Sequence, residues 1–339
     1  MLKPIQIGNI KINSPVIIAP MAGITDLPFC EIYKSHGAEL IVMEMIASNA
    51  QQHFSDVKHQ KKLETAPNKV VKMFDTLPKN LSPISVQIFG SNPDIMAQAT
   101  KINIARGADI IDINMGCPVG KIVKSGSGAD LLKDVRKAEE IVRAVVLAAN
   151  GRVPITLKIR TGWSNNLMTG VEVAQMAEQA GVSMIAVHGR TRTQMYMGDA
   201  SLPEIAKIKR AVKKIPVIGN GDILTVEDAK KMIDETGVDG VMIGRGVFGR
   251  PIFIEQIINY LNHNVKLPGL TSQEIGKIAL AHFEKMLNFY GEKNAIFLFR
   301  KFGAYYSKNM FGATEFRTKI NQIIDVIKMQ LAIKEFFEI

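Results

Sequence analysis

Two cysteines occur in the 339 residues, and they keep very different company. Cys117 lies in DINMGCPV (residues 112–119), a polar, glycine-bearing stretch that ends in a proline. An unperturbed thiol has a pKa of about 8.5, so near neutral pH it is mostly protonated and can act as a general acid. Cys30 sits among apolar neighbours and reads as a small buried hydrophobe, as most free cysteines do. Two cysteines cannot build a disulfide framework or a zinc site, which suits a reducing compartment. The sequence has no CxxC, HExxH or GxSxG motif. SGSGAD (residues 125–130) resembles a dinucleotide loop but follows a loop instead of a strand, which excludes that use.

Other residue types with chemical capacity are spread along the chain. Lys158 falls inside the apolar run ITLKIR, where an unpaired ammonium is costly. A cation there suits negative charge on a bound group; a salt bridge at a strand rim is the plainer alternative. His188 ends another apolar run and reads either as a site imidazole or as a core histidine. Gln87 offers a donor and an acceptor to a planar heterocycle, or else bonds backbone. IGNGDI (218–223) and MIGRG (242–246) are glycine-rich turns. Gly221 and Gly244 let backbone N–H groups approach a phosphate closely. Either turn alone is weak evidence, but both together point to a phosphate-bearing cofactor.

Something must bring these residues to one place. Eight short apolar runs recur, at residues 15–20, 39–44, 84–89, 109–114, 155–160, 183–188, 215–220 and 238–243. Such runs predict strands buried on both faces of a parallel sheet. Between them lie helical segments. Residues 92–106 open on Asn-Pro-Asp, which supplies a cap, a first-turn proline and a first-turn acid. Residues 131–149 place Val135, Ala138, Ile141, Val142, Val145 and Val146 on one face. Gly107, Gly151, Gly181 and Gly237 stand where left-handed helix ends are wanted. Eight strands alternating with helices over about 245 residues predict a (β/α)8 TIM barrel. A doubly wound sheet usually has fewer strands and a glycine fingerprint after the first, where this chain reads MAGITD. In a barrel the functional rim is at the strand C-terminal ends, and the candidates all fall there.

After residue 250 the alternation stops. Helices are expected at 251–261, 272–290, 295–307 and 314–338, with Thr271 capping the second and LPGL (267–270) as linker. The expected division is a catalytic barrel over residues 1–255 and a smaller all-helical C-terminal domain over 256–339. Residues 45–86 exceed the needs of one βα unit and read as a loop-rich insertion. Lys and Arg number 42 against 32 Asp and Glu, and the formal charge of +10 attracts polyanions, either nucleic acid or an anionic membrane. The apolar runs are far too short to span a bilayer, and the N-terminus MLKPIQIGNI has no signal-peptide layout. Membrane is therefore set aside and a cytoplasmic protein is expected.

The ordered motifs resemble the tRNA-dihydrouridine synthase family, most of all its bacterial B-type members. They are APMAGITDLPF (19–29), MEM (43–45), VQIFGSNP (86–93), DINMGCPV (112–119), KSGSGADLL (124–132), LKIRTGW (157–163), VHGRTRTQMYMG (187–198), IGNGDI (218–223) and MIGRG (242–246). The resemblance runs from about residue 5 to 311 and is looser near RKFGAY (300–305), where family members often carry histidine in place of Phe302. It implies FMN in the barrel mouth and NADPH as reductant. It implies Pro20, Met21 and Ala22 against the isoalloxazine, and Gln87, Lys158 and His188 at its polar edge. Asn220, Gly221, Asp222, Gly244 and Arg245 would surround the ribityl phosphate, with Asn114, Arg190 and Arg192 toward the substrate. Cys117 would be the catalytic acid: hydride passes from flavin N5 to C6 of a tRNA uracil while Cys117 protonates C5, giving 5,6-dihydrouridine.

A base packed inside folded tRNA must be flipped out to be reached. The helical domain and the basic surface are then expected to cradle tRNA. Deleting residues 262–339 is expected to leave a flavin-binding barrel that has lost most of its tRNA affinity. The remaining expectations are a monomer with no obligatory protein partner, no membrane and no metal. Two alternatives stand beside this one: an FMN barrel reducing a free pyrimidine, and a non-catalytic tRNA-binding protein. Binding of tRNA discriminates the first, and a yellow purified protein the second.

Overall fold

The structure is a computed structural model that describes residues 2–49 and 76–339; the expected insertion at 45–86 lies mostly outside them. The chain opens with a small antiparallel hairpin, β1 (Ile5–Ile7) and β2 (Ile10–Ile12). Eight parallel strands follow: β3 (Val16–Ile18), β4 (Ile41–Ala47), β5 (Ile84–Phe89), β6 (Ile110–Met115), β7 (Ile155–Arg160), β8 (Met184–His188), β9 (Val217–Asn220) and β10 (Gly240–Ile243). They close into a barrel in chain order, with β10 paired to both β9 and β3. Each overlaps an expected run, so the TIM-barrel expectation holds.

Helices on the outside return the chain between strands. They are α1 (Leu27–Lys34), α2 (Pro93–Ala105), the short α3 (Gly120–Lys124), α4 (Val135–Ala149), α5 (Gly170–Gln179), α6 (Leu202–Ala211), α7 (Val226–Thr236) and α8 (Phe253–His263). Asn92 caps α2 by accepting from the Ile95 amide, and Asp134 caps α4. Gly107, Gly151, Gly181 and Gly237 all take positive φ, as helix ends of this kind require.

Alternation along each strand separates two cores. Ile111, Ile113 and Met115 of β6 face the helices, with Leu157 and Ile159 of β7 and Ile185 and Val187 of β8. The opposite parity faces inward, where Ile17, Val42, Ile110, Met184, Ile218 and Met242 fill the lower barrel. Ile5, Ile7 and Ile12 of the hairpin join that inner cluster. A Cβ on Gly8, at the hairpin turn, would lie 2.7 Å from Cβ of Pro154, the residue before β7, so the hairpin closes the N-terminal end. The sequence reading missed this hairpin, although IQI-GN-IKI carries its period-two pattern and a two-residue turn.

Beyond α8 come α9 (Ser272–Tyr290), α10 (Glu292–Tyr306), α11 (Ala313–Gln322) and α12 (Val326–Phe337). Thr271 caps α9 through a reciprocal bond with Glu274, as expected. The single helix expected over 314–338 is two. The chain leaves α11 at Ile323, whose carbonyl accepts from Arg300, and Asp325 starts α12 by capping the Lys328 amide. The expected boundary at 255/256 falls inside α8, which packs on α7 and β3 as the last barrel helix. Among the described residues no helix is long and apolar enough to cross a membrane.

Candidate active site

Parallel register sets inward-facing polar side chains next to one another. Gln87 of β5 pairs with Asp112 of β6, which pairs with Thr156 of β7. One step nearer the mouth, Asn114 lies beside Lys158, and His188 of β8 beside both Arg160 and Asn220. Above them opens a cavity of about 500 Å³, within the usual range of cofactor sites. Pro20, Met21 and Ala22 line it from the turn after β3, and Asn114 and Cys117 from the end of β6. Lys158, His188, Arg190, Asn220, Gly221, Asp222, Gly244 and Arg245 complete the part of the wall that was legible in sequence. Met45, Arg160 and Tyr196 also line it and were not singled out. The parity of Lys158 already pointed Arg160 inward, two residues on. Tyr196 lay in the motif VHGRTRTQMYMG without any local sign of its position, half-exposed with Arg160 and Arg245 guanidiniums 5.7 and 5.5 Å from its ring.

Gln87 and Arg192 do not line the cavity. Gln87 is 1% exposed and spends its amide inside the wall, on Asp112 and Asn114. Arg192 stacks on Trp163 at 4.7 Å, with Lys133 on the same ring at 3.8 Å. Arg190 does reach the cavity, but its donors are taken. It forms a two-pronged pair with Asp222 at 2.9 and 2.6 Å and donates to the carbonyls of Met197 and Gly198. Asp222 also accepts from the Ala200 amide at 2.8 Å. Arg190 and Asp222 thus hold the loop that carries Tyr196 against the turn after β9.

The glycine turns differ in how they serve the cavity. Gly221 has φ +129°, and a Cβ there would meet Ala200 Cβ at 2.6 Å and the His188 ring at 3.2 Å. Any side chain at that position collides. At Gly244 a Cβ would find only Met21 Sδ, at 4.0 Å, so its backbone faces open space.

Electrostatics sort the titratable groups. Burial pushes the Cys117 thiol up, against a backbone hydrogen bond at Val119 and the nearby Arg160 and Lys158 charges, so it keeps its proton near neutrality. Burial, and then Arg160, bring Lys158 down to about 8, with Asp112 opposing. Its ammonium donates to Asn220 at 3.0 Å. Burial and four surrounding cations hold His188 well below the usual imidazole range. Its Nε2 lies 3.3 Å from an Arg190 nitrogen, which can only donate, so the neutral ring keeps that nitrogen unprotonated. Burial works against the Asp222 carboxylate, but bonds from Arg190 and Ala200 outweigh it and hold its pKa down.

The first β–α turn is anchored from three sides. Glu44 accepts from the Gly23 amide at 2.5 Å, at a bulge in β4 between Met43 and Ile46 that also turns Met45 to the cavity. Lys301 of α10 donates to the Gly23 carbonyl, and Tyr290 of α9 donates to Asp26 at 2.7 Å.

A closed parallel barrel with a polar, cation-rich cavity at its C-terminal mouth defines a TIM-barrel enzyme. Solved structures share that fold at low identity. Histamine dehydrogenase from Rhizobium sp. 4-9 superposes with a TM-score of 0.57 at 13% identity, over 84% of this chain and 50% of that one. Morphinone reductase in complex with tetrahydroNAD gives 0.52 at 13% identity, over 78% and 91%. The family model described as dihydrouridine synthase (Dus) matches residues 17–338. The tRNA-dihydrouridine synthase B of Pseudomonas aeruginosa is 40% identical over 333 residues, 98% of this chain and 96% of that one. A probable tRNA-dihydrouridine synthase of Rickettsia typhi is also 40% identical, over 98% and 97%. The chain belongs to the dihydrouridine synthase family, among its B-type members.

Proposed function

We propose that this protein reduces the C5=C6 bond of specific tRNA uridines to 5,6-dihydrouridine, with FMN in the barrel mouth and NADPH as reductant. One observation carries the reading: a single cavity joins a protonated thiol to two glycine turns, of which the one at Gly244 leaves its backbone open to a phosphate. FMN, when bound, would supply the hydride. The protein's own residues supply position, charge and a proton. Asn220, Gly221, Gly244 and Arg245 hold the phosphate end, with Asp222 acting through its grip on Arg190 and Arg245. Pro20, Met21 and Ala22 form the wall behind the ring. Lys158 presents its cation, and His188 its neutral ring, to the ring's polar edge. Cys117 holds a proton at Sγ for C5 of the flipped base. Asn114 orients the Cys117 loop at the substrate side, and Arg190 acts there through the loop it secures. Gln87 and Arg192 serve from behind the wall and from outside it.

The barrel, extended by α8, is the catalytic part, and the helices beyond residue 263 share tRNA with the barrel rim. Residues 251–339 carry 11 Lys and Arg against 8 Asp and Glu, too slight an excess for the tail to bind alone. The test combines an absorption spectrum, mass spectrometry of the released ligand, and nucleoside analysis of unmodified tRNA incubated with protein and NADPH. FMN and new dihydrouridine are expected. FAD, or tRNA left unchanged by a flavin-loaded protein, contradicts the reading.

A further inference from the structure

Asp112 is a carboxylate at the centre of the barrel wall with no exposure, and nothing in the chemistry above uses it. The lower interior is filled by Ile110, Met184, Ile218 and Met242, so packing does not call for an acid. Its two oxygens accept from Thr156 Oγ1 at 2.6 Å and Gln87 Nε2 at 2.6 Å. Gln87 Oε1 accepts from Asn114 Nδ2 at 2.7 Å. Asn114 Oδ1 accepts from the Gly116 and Cys117 amides at 3.1 and 2.9 Å. Asp112, Gln87, Thr156 and Asn114 are each at most 7% exposed, so water offers no substitute partners.

The polarity of this chain is set from both ends. Backbone amides only donate, so Asn114 must turn its carbonyl oxygen to them. Its NH2 then faces Gln87, which must present a carbonyl. The Gln87 NH2 then faces Asp112, which must accept, as an ionised carboxylate always does. Turning either amide over would set donor against donor and acceptor against acceptor in a dry wall. We infer that Asp112 and Gln87 are positioning residues, a buried polarity relay that sets the Asn114 amide and, through it, the turn presenting the Cys117 thiol. The carboxylate suits this place because it never donates. Burial brings its pKa up to about 6, while Thr156, Gln87 and Lys158 oppose the shift, so it is mostly ionised near neutrality.

The inference rests on Cys117 being the proton donor of the proposed reaction, but its test reads the thiol directly. The relay predicts a difference between variants that keep the donor–acceptor order and variants that break it. In Asp112→Asn the new amide still accepts from Gln87 with its oxygen and donates to Thr156, so the order survives without the charge. Asp112→Leu and Gln87→Met break it. The measurement is the rate of Cys117 alkylation by iodoacetamide against pH in flavin-loaded protein, with buried Cys30 as the unreactive internal reference. Asp112→Asn should stay within about threefold of wild type. Asp112→Leu and Gln87→Met should shift by tenfold or more, keep NADPH reduction of the flavin, and slow its reoxidation by tRNA.

Wild-type alkylation in folded Gln87→Met overturns the relay. So does an Asp112→Asn protein as altered as Asp112→Leu, because charge and not polarity would then be at work. If Gln87→Met or Asp112→Leu fails to fold, the other supplies the broken order, and an Asp112→Asn shift of about tenfold or more overturns the relay in either case. If uridine reduction survives Cys117→Ala while alkylation follows the relay, the proton-donor role fails and the relay stands.

Discussion

The barrel mouth and the helical region solve the burial problem in opposite ways. The mouth buries Asp112, Asn114, Arg160 and Arg190, each with hydrogen-bonding partners. The helical region buries rings: Phe283 and Phe299 pack 5.0 Å apart, and Phe316 stacks on Phe336 at 4.3 Å. Its polar side chains matter where the two regions meet, at Tyr290 on Asp26, Lys301 on Gly23 and Lys285 on Glu31. A packed aromatic core tolerates change in any one contact, whereas a polar wall depends on the order of its donors and acceptors. Chemistry is therefore concentrated in the mouth. The helices contribute to it through the few bonds that reach the first β–α turn.

The largest expected effect breaks the comparison at its seam. Deleting residues 264–339 exposes Phe29 and Tyr33, each 1% exposed in the whole chain, and strips the turn at Met21–Asp26 of two anchors. The sequence alone suggested a surviving flavin-binding barrel. The contacts predict instead a protein that loses most of its flavin and melts about 10 °C lower or aggregates. Thermal melting with flavin absorbance checks this, and a fully loaded barrel with an unchanged melt would refute it.

Next in size is a pH effect confined to the mouth. The Lys158 pKa is lowered to about 8, so its cation is lost as pH rises through that value. The Cys117 pKa is shifted upward and its proton remains. Uridine reduction should fall by up to about tenfold per unit above pH 8, and Lys158→Gln should be slow and flat over the same range. A wild-type rate constant from pH 7 to 9 would remove Lys158 from its role.

The smallest effect sharpens the contrast with two glycines. A Cβ on Gly276 of α9 would lie 2.3 Å from Phe337 Cβ, and one on Gly221 would lie 2.6 Å from Ala200 Cβ. Each Gly→Ala change should destabilise the protein by about 1–3 kcal/mol in chemical denaturation. Only Gly221→Ala should also weaken flavin binding. Equal flavin affinity in the two variants would show that the mouth is no more exacting than the helical packing.

Most of the barrel was legible because parallel strands buried on both faces leave continuous apolar runs, and because glycine-rich turns mark the strand ends. The hairpin at Ile5–Ile12 was equally legible and was overlooked. The break between α11 and α12 was harder to see, since a three-residue interruption leaves helical periodicity intact on both sides. Cys117, Lys158 and, in the two glycine turns, Gly221 and Gly244 stand out in sequence by type and position, and all of them line the cavity. The partners of Gln87 do not stand out. Strand order can be guessed from sequence, but which residue pairs across it depends on register, and register made Gln87 a neighbour of Asp112. Tyr196 and Arg192 lie in one loop, and only its folded path puts one in the cavity and the other on Trp163.

The central claim is that the cavity divides its work, with hydride from a bound flavin and a proton from Cys117. Anaerobic stopped-flow on Cys117→Ala tests it most directly: the flavin is reduced with NADPH, then its reoxidation by unmodified tRNA is followed. Flavin reduction needs no thiol and should run at the wild-type rate. Reoxidation by tRNA should slow by about 10²–10⁴-fold, the usual loss when a general acid is removed. Cys30→Ala, on the buried face of α1, should leave both steps unchanged. Wild-type reoxidation with normal accumulation of dihydrouridine in Cys117→Ala would contradict the account.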